Sequence, residues 1–225
     1  MISGGLIPVV ALLASAGAAL ASPLTFATFS QSGGNSPLSF TNNGVNPGTG
    51  TLSASAQVIF DFTSGTGLSS NDRAATLTLI GTTFDKASTF GTLVDQPIGQ
   101  ISHLSIVENA TGNILLSLGF TGDIVGRVGS STATLAGSDT TGNTVVFSSG
   151  FVVFGPQPSN SYSLTLASLS GPLSTNANSL LNSFSSGISG SFTANVIPVT
   201  ASPEPATWTL FVTAAAWTVL RRRSL

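Results

Sequence analysis

The chain has 225 residues, with six basic and eight acidic side chains, one histidine and no cysteine. Only 6% of it is charged, and between residues 22 and 203 Arg73, Lys86 and Arg127 stand singly against seven acidic residues. That segment has no clustered cations to displace counterions from a phosphate backbone, and nucleic acid is excluded as a partner. The missing thiols exclude disulfides, thiolate metal sites and cysteine nucleophiles, while a hydrophobic share of 41% excludes disorder driven by charge.

The chain opens MISGGLIPVVALLASAGAALA. Residues 6–21 are apolar or small, broken by Pro8, Ser15 and Gly17. The run has no polar face, so an amphipathic surface helix is ruled out. Ala19 and Ala21 form an A-x-A site, and 1–21 reads as a signal peptide cut before Ser22. Only the terminal amine supplies positive charge ahead of the run; a buried N-terminal helix is the competing reading.

Residues 22–198 form a Ser/Thr/Gly-rich segment; the whole chain holds 35 Ser, 28 Thr and 25 Gly. Alternation dominates here. Leu52, Ala54, Ala56, Val58, Phe60 and Phe62 occupy every even position of one run, with Ser53, Ser55, Gln57 and Asp61 between them. Period two predicts a strand with one buried face. The same pattern recurs at Ala75–Leu79, Ile114–Phe120, Tyr162–Leu166 and Phe192–Val196. TVVFSSGFVVF at 144–154 is apolar on both parities, which fits a bulged central strand or two short strands meeting at a turn. Gly and Asn clusters break the runs, as in Ser32-Gly33-Gly34-Asn35, Asn42-Asn43-Gly44 and Thr141-Gly142-Asn143; they supply the positive φ of tight turns.

Many short strands with one polar face predict an all-β fold, an antiparallel β-sandwich of jelly-roll or Ig-like type with eight to eleven strands in two sheets. STNANSLLNSF at 174–184 is the one candidate helix besides the ends. A low-charge sheet protein also risks edge-to-edge association.

Chemistry is sparse. His103 shares a parity with Ser105, opposite Leu104 and Ile106, and is expected to face solvent. No G-x-S-x-G elbow marks a nucleophile for it, so no catalytic residue is assigned. Asp61, Asp72, Asp85, Asp95, Glu108, Asp123 and Asp139 sit singly on strands or turns. A glycosidase needs two of them close together. Asn71-Asp72, or Asp139 with Asn143, offers oxygens to calcium without EF-hand spacing, so no cofactor or metal site is assigned and calcium stays an alternative. With Tyr162 the segment's only tyrosine and no tryptophan in it, an aromatic platform for stacking sugars is not evident; contact through hydroxyl and amide groups remains.

Residues 199–225 close the chain. Pro203 and Pro205 flank Glu204, and proline disfavours helix before it, so this tripeptide should be extended and accessible. Ala206–Leu220, ATWTLFVTAAAWTVL, has no charge. As a helix it would span about 22 Å, short of a hydrocarbon core of about 30 Å. Trp208 and Trp217 near its two ends suit the interfaces, and Arg221, Arg222 and Arg223 can snorkel to extend the span. The arginines favour the cytoplasmic side and a cleaved signal puts the remainder outside, so this segment reads as a short transmembrane helix with the domain outside and the tail inside.

Pro203-Glu204-Pro205, the apolar span 206–220 and the arginine run 221–223 together resemble the PEP-CTERM sorting signal, over about residues 202–225. The resemblance implies a Gram-negative-type bacterium that makes exopolysaccharide. It implies as partners the Sec export machinery, the inner membrane for a transient period, and an exosortase, a membrane-embedded enzyme with a cysteine nucleophile. The tail would be cut near Pro203-Glu204-Pro205 and the protein passed to the cell surface or matrix; a permanent anchor without processing is the competing reading. The function expected is therefore structural or adhesive and non-enzymatic, in an exopolysaccharide or biofilm matrix. A carbohydrate- or calcium-binding sandwich module and a secreted hydrolase with paired carboxylates are the alternatives.

Overall fold

The alternation becomes strand. In the computed structural model, which describes residues 23–44, 50–63, 66–68, 71–83, 85–155 and 159–197, the longest regular stretch of alternation is Gly50–Phe62. Every even residue of that strand is buried, while Thr51, Ser53, Ser55 and Gln57 point outward. In chain order the described strands are β1 Leu24–Gln31, β2 Leu38–Asn42, β3 Gly50–Phe62, β4 Arg73–Thr83, β5 Ser88–Phe90, β6 Leu93–Glu108 and β7 Ile114–Arg127. They continue with β8 Ala133–Ser138, β9 Val145–Ser148, β10 Val153–Phe154, β11 Ser161–Ala167, β12 Phe184–Ala194 and β13 Val196–Ile197.

The expected sandwich is not what these strands make. Pairing runs β6-β4-β3-β1-β12-β11-β8-β7, and β7 pairs back onto β6, so eight antiparallel strands close into a barrel. The closing ladder is long, from Leu93↔Arg127 to Val107↔Ile114, with a register shift between Ile98 and Ser102. An irregularity of that kind bends and twists a strand, which helps a sheet curl on itself. A sandwich and a filled barrel both ask each strand for one apolar face. Alternation therefore does not separate them; the β6–β7 register does.

Two positions of the ring are filled by broken strands. β1 lies beside Val58–Phe62 of β3 and β2 beside Gly50–Ala54, with residues 32–37 bowing out between them. On the far side, β8 lies beside Asp123–Val125 of β7 and β9 beside Ser117–Phe120, with residues 139–144 bowing out. That second excursion holds a 3-10 turn, Asp139–Thr141, capped by the Ser138 side chain at one end and by Gly142 at φ 89 at the other. Both turn clusters thus interrupt a strand position instead of separating neighbouring strands.

The interior is a packed core. Eight strands enclose a space that side chains just fill, and here Phe26, Phe60, Phe62, Phe120 and Phe192 are almost fully buried with Leu52, Leu77, Leu104 and Leu116. Phe26 meets Phe147 edge-on at 5.2 Å and Phe154 at 5.1 Å, while Phe29 stacks on Phe192 at 5.8 Å. Phe154 belongs to the β10–β13 ribbon, which seals this end of the barrel through Val153↔Ile197. Both ends of the described chain meet here, since Leu24 of β1 pairs with Ala194 of β12. Apolar residues inside and Ser/Thr outside invert the pattern of a barrel that faces lipid.

TVVFSSGFVVF resolves into the two short strands β9 and β10, in different sheets. Ser149 makes the break: its hydroxyl donates to the Leu115 carbonyl at 2.7 Å and accepts the Phe151 N–H at 3.1 Å. The candidate helix at 174–184 is instead an asparagine-built turn. Asn176 Oδ1 accepts the N–H groups of Asn178 and Leu180, Ser179 sits at φ 60, and Thr175 bridges Leu181. Asn side chains compete with the helical ladder for backbone donors, and here they win. Among the described residues no helix is long and apolar enough to cross a membrane. The expected transmembrane helix is therefore not found among them; residues 1–21 and 206–220 lie outside the described residues.

Candidate functional site

Register converts scattered outward hydroxyls into rows. Ser55 faces Thr78, Thr78 faces Ser105, Ser105 faces Ser117 and Ser117 faces Ser148, across β3, β4, β6, β7 and β9. Adjacent strands lie about 4.8 Å apart, so this row is about 19 Å from first to last residue. All five side chains are exposed or half-buried. Among the described residues none of the five hydroxyls has a hydrogen-bond partner. One step along the strands runs a second row, Ser53, Ile80, His103, Gly119 and Val146. Ile80 is 65% exposed and Val146 51%. On the other flank Gln57, Thr76 and Asn109 bond one another in a closed triangle, at 3.0, 2.8 and 2.8 Å.

Two clefts terminate the hydroxyl row. The smaller, about 190 Å³, lies under the 32–37 excursion and is lined by Gln31, Pro37, Ser55 and Gln57 among others. Gln31 braces it: Nε2 donates to the carbonyls of Gly33 and Asn35, and Oε1 accepts the Ile188 N–H at 3.1 Å. The larger, about 780 Å³, is lined by Asn113, Ile114, Ser117, Ser148, Ser149 and Phe151, with Gly112 and Gly150. Phe151 is held by Phe62 at 5.9 Å and by the Arg73 guanidinium 5.0 Å from its ring. Arg73 is fixed in turn by Glu108 at 3.0 Å, which also accepts the Thr111 hydroxyl. Neither of these two clefts is lined by a carboxylate.

The acids lie elsewhere. Asp95 faces Val125 and Asp123 faces Pro97, so the two carboxylates are diagonal neighbours on the outer wall at the β6–β7 ladder. Burial pushes the Asp123 carboxyl up, the nearby Asp95 charge pushes it the same way, and a hydrogen bond from Asn143 pulls it partly back. Asp139 is also raised by burial, against the N–H groups of Val145 and Asn160, which favour its charged form. Its Oδ1 accepts the Val145 N–H at 2.7 Å, so this carboxylate serves the turn that carries it. Burial, and then Asp123, push the Tyr162 phenol well up, and its hydroxyl donates to the Thr121 carbonyl at 3.1 Å. Among the described residues no group of three His or acidic side chains could hold a metal ion.

His103 is exposed on the wall, where its parity with Ser105 places it. Pro203, Glu204, Pro205, Arg221, Arg222, Arg223, Ala19 and Ala21 all lie outside the described residues. The row residues Thr78, Ser105, Ser117 and Ser148 carry no individual signal in a chain this rich in hydroxyls. Each stands at the outward parity of its strand, but their alignment depends on four separate registers. No protein-family model, no curated protein and no solved structure matches this chain.

Proposed function

We propose that this is an exported, non-enzymatic barrel sorted by its C-terminal signal to the cell surface or exopolysaccharide matrix, where its role is structural or adhesive. The observation that carries the reading is the outer wall: a nearly uncharged surface of aligned hydroxyls suits contact with a neutral, hydroxylated polymer. It does not suit an anionic one, which needs cations. Hydroxyls facing water exchange partners at little cost, so each contact is weak and adhesion would come from many of them acting together.

The sorting part rests on the resemblance at 202–225, with Pro203, Glu204 and Pro205 as the recognition residues and Arg221, Arg222 and Arg223 holding the tail on the cytoplasmic side before cleavage. Both ends of the described chain lie at one end of the barrel, where Leu24 pairs with Ala194, which suits a tether at that end. Pulse-chase labelling in an exosortase-bearing host, with blots against both ends, tests this. The wild type should shorten and lose the arginine epitope, while Glu204→Ala should keep it; a wild-type surface protein that retains Arg221–Arg223 rejects the processing step.

A further inference from the structure

We infer that the wall of β3, β4, β6, β7 and β9 is a binding track for a linear neutral glycan, running from the cleft at residues 32–37 to the cleft at 148–151. Three independent features coincide on this wall. The hydroxyl row begins at Ser55, which lines the smaller cleft, and ends at Ser117 and Ser148, which line the larger. The five hydroxyls are unpartnered among the described residues, so they can both donate and accept to a ligand without breaking a bond in the barrel. Parallel to them, Ile80 and Val146 expose apolar surface beside His103 and Gly119, with Ile114, 51% exposed, at the larger cleft.

A pyranose chain has this same two-sidedness. Its rings present C–H faces and its edges present hydroxyls, so it needs an apolar strip next to a polar one and no net charge. The row's length of about 19 Å, from strand spacing, suits several linked sugars, not one. Phe151 supplies the larger cleft with an aromatic surface whose position is set from behind by Phe62 and the Arg73–Glu108 pair. An aromatic face carries partial negative charge and attracts the positive edge of C–H bonds. The volume of about 780 Å³ is within the usual range for small-molecule clefts.

The track rests on the polysaccharide contact proposed above, but not on export or tail cleavage. The test uses the purified full chain in detergent, titrated by calorimetry with cello-oligosaccharides from the dimer to the hexamer and with an alginate hexamer as anionic control. Affinity should rise at least tenfold from dimer to hexamer, and alginate should not bind. Thr78→Glu places a charge at the centre of the track on an exposed position and should weaken hexamer binding at least tenfold, with the melting temperature unchanged. Ser163→Glu, on an outward residue of β11, should bind as wild type. Equal affinity for dimer and hexamer, or an unaffected Thr78→Glu, overturns the track. Weakening by Ser163→Glu alone moves the contact to the other wall, rejecting the track and keeping the polysaccharide reading. No binding by any sugar rejects both and leaves the processing experiment standing.

Discussion

The wall of β3-β4-β6-β7-β9 and the wall of β8-β11-β12-β1 are made from the same few residue types, yet they differ. On the second wall the rows are Ala136, Ser163, Ser191, Thr28, Asp61 and Thr134, Thr165, Ser189, Ser30, Ile59. These are as rich in hydroxyls as the first wall, but neither row contains a large side chain among the strongly exposed apolar residues. Both walls pack closely on the inside. On the second wall a side chain on Gly190 would lie 2.5 Å from Leu164 Cδ2 and 2.6 Å from Phe29 Cε1, and on the first wall one on Gly122 of β7, beneath Tyr162, would lie 2.3 Å from the Ala136 carbonyl oxygen. Composition alone therefore does not mark a surface for binding. The difference lies in the large apolar side chains: the first wall turns Ile80 and Val146 strongly outward, and the rows of the second wall turn out none of that kind.

The largest expected effect is on the second wall. Phe192→Ala removes a ring that touches Phe26, Phe29 and Phe147, and should cost about 3–5 kcal/mol in urea unfolding. Hexamer affinity of the folded fraction should not change; a matching loss of affinity would mean that the two walls are not separate in role. Tyr162→Phe comes next. It removes the bond from β11 to the Thr121 carbonyl and should cost about 1 kcal/mol, again without touching sugar binding.

On the first wall the order reverses. Ile80→Ser should leave stability within about 0.5 kcal/mol, as expected at an exposed position, yet weaken hexamer binding several-fold in the same calorimetric assay. Smallest of all is Asp123→Asn. Because burial and Asp95 raise the folded-state pKa of Asp123, the folded barrel holds that proton more tightly than the unfolded chain does. Stability from this group therefore falls as pH rises through the window above the unfolded value near 3.9, and the cost is fully present at neutral pH. The variant should melt slightly higher than wild type at pH 7, with the gain vanishing at pH 3. A gain that persists at pH 3 would assign the effect to packing instead of charge.

Strand by strand, much of this was legible. Leu52–Phe62 announced which residues face inward, and the parity of His103 announced its exposure. Closure was not legible, because period two reports how many faces a strand buries and says nothing of which strand lies next to it. The excursions at 32–37 and 139–144 misled for a related reason: Gly and Asn report that the chain turns, not whether it returns to the same line. At 174–184 the sequence offered a candidate helix, but Asn176 has a local use for its side-chain oxygen, which accepts the Asn178 and Leu180 N–H groups. The track was the least legible feature, since Ser55 and Ser148 are brought onto one line only by four ladders in succession.

The pairing of Leu24 with Ala194 has a mechanical consequence. Ladder bonds run perpendicular to the strands, so a force drawing the two chain ends apart, once the β10–β13 ribbon has released, loads the β1–β12 seam one bond pair after another and peels it open at low load. A force entering through the C-terminal end and leaving through a polymer gripped along the β3-to-β9 wall passes from β12 through β1 on one side and through β11 and β8 on the other, so it is shared over several ladders together. As a tether between a surface and its surrounding polymer, the barrel would resist pulling far better than it would when stretched by its own two ends.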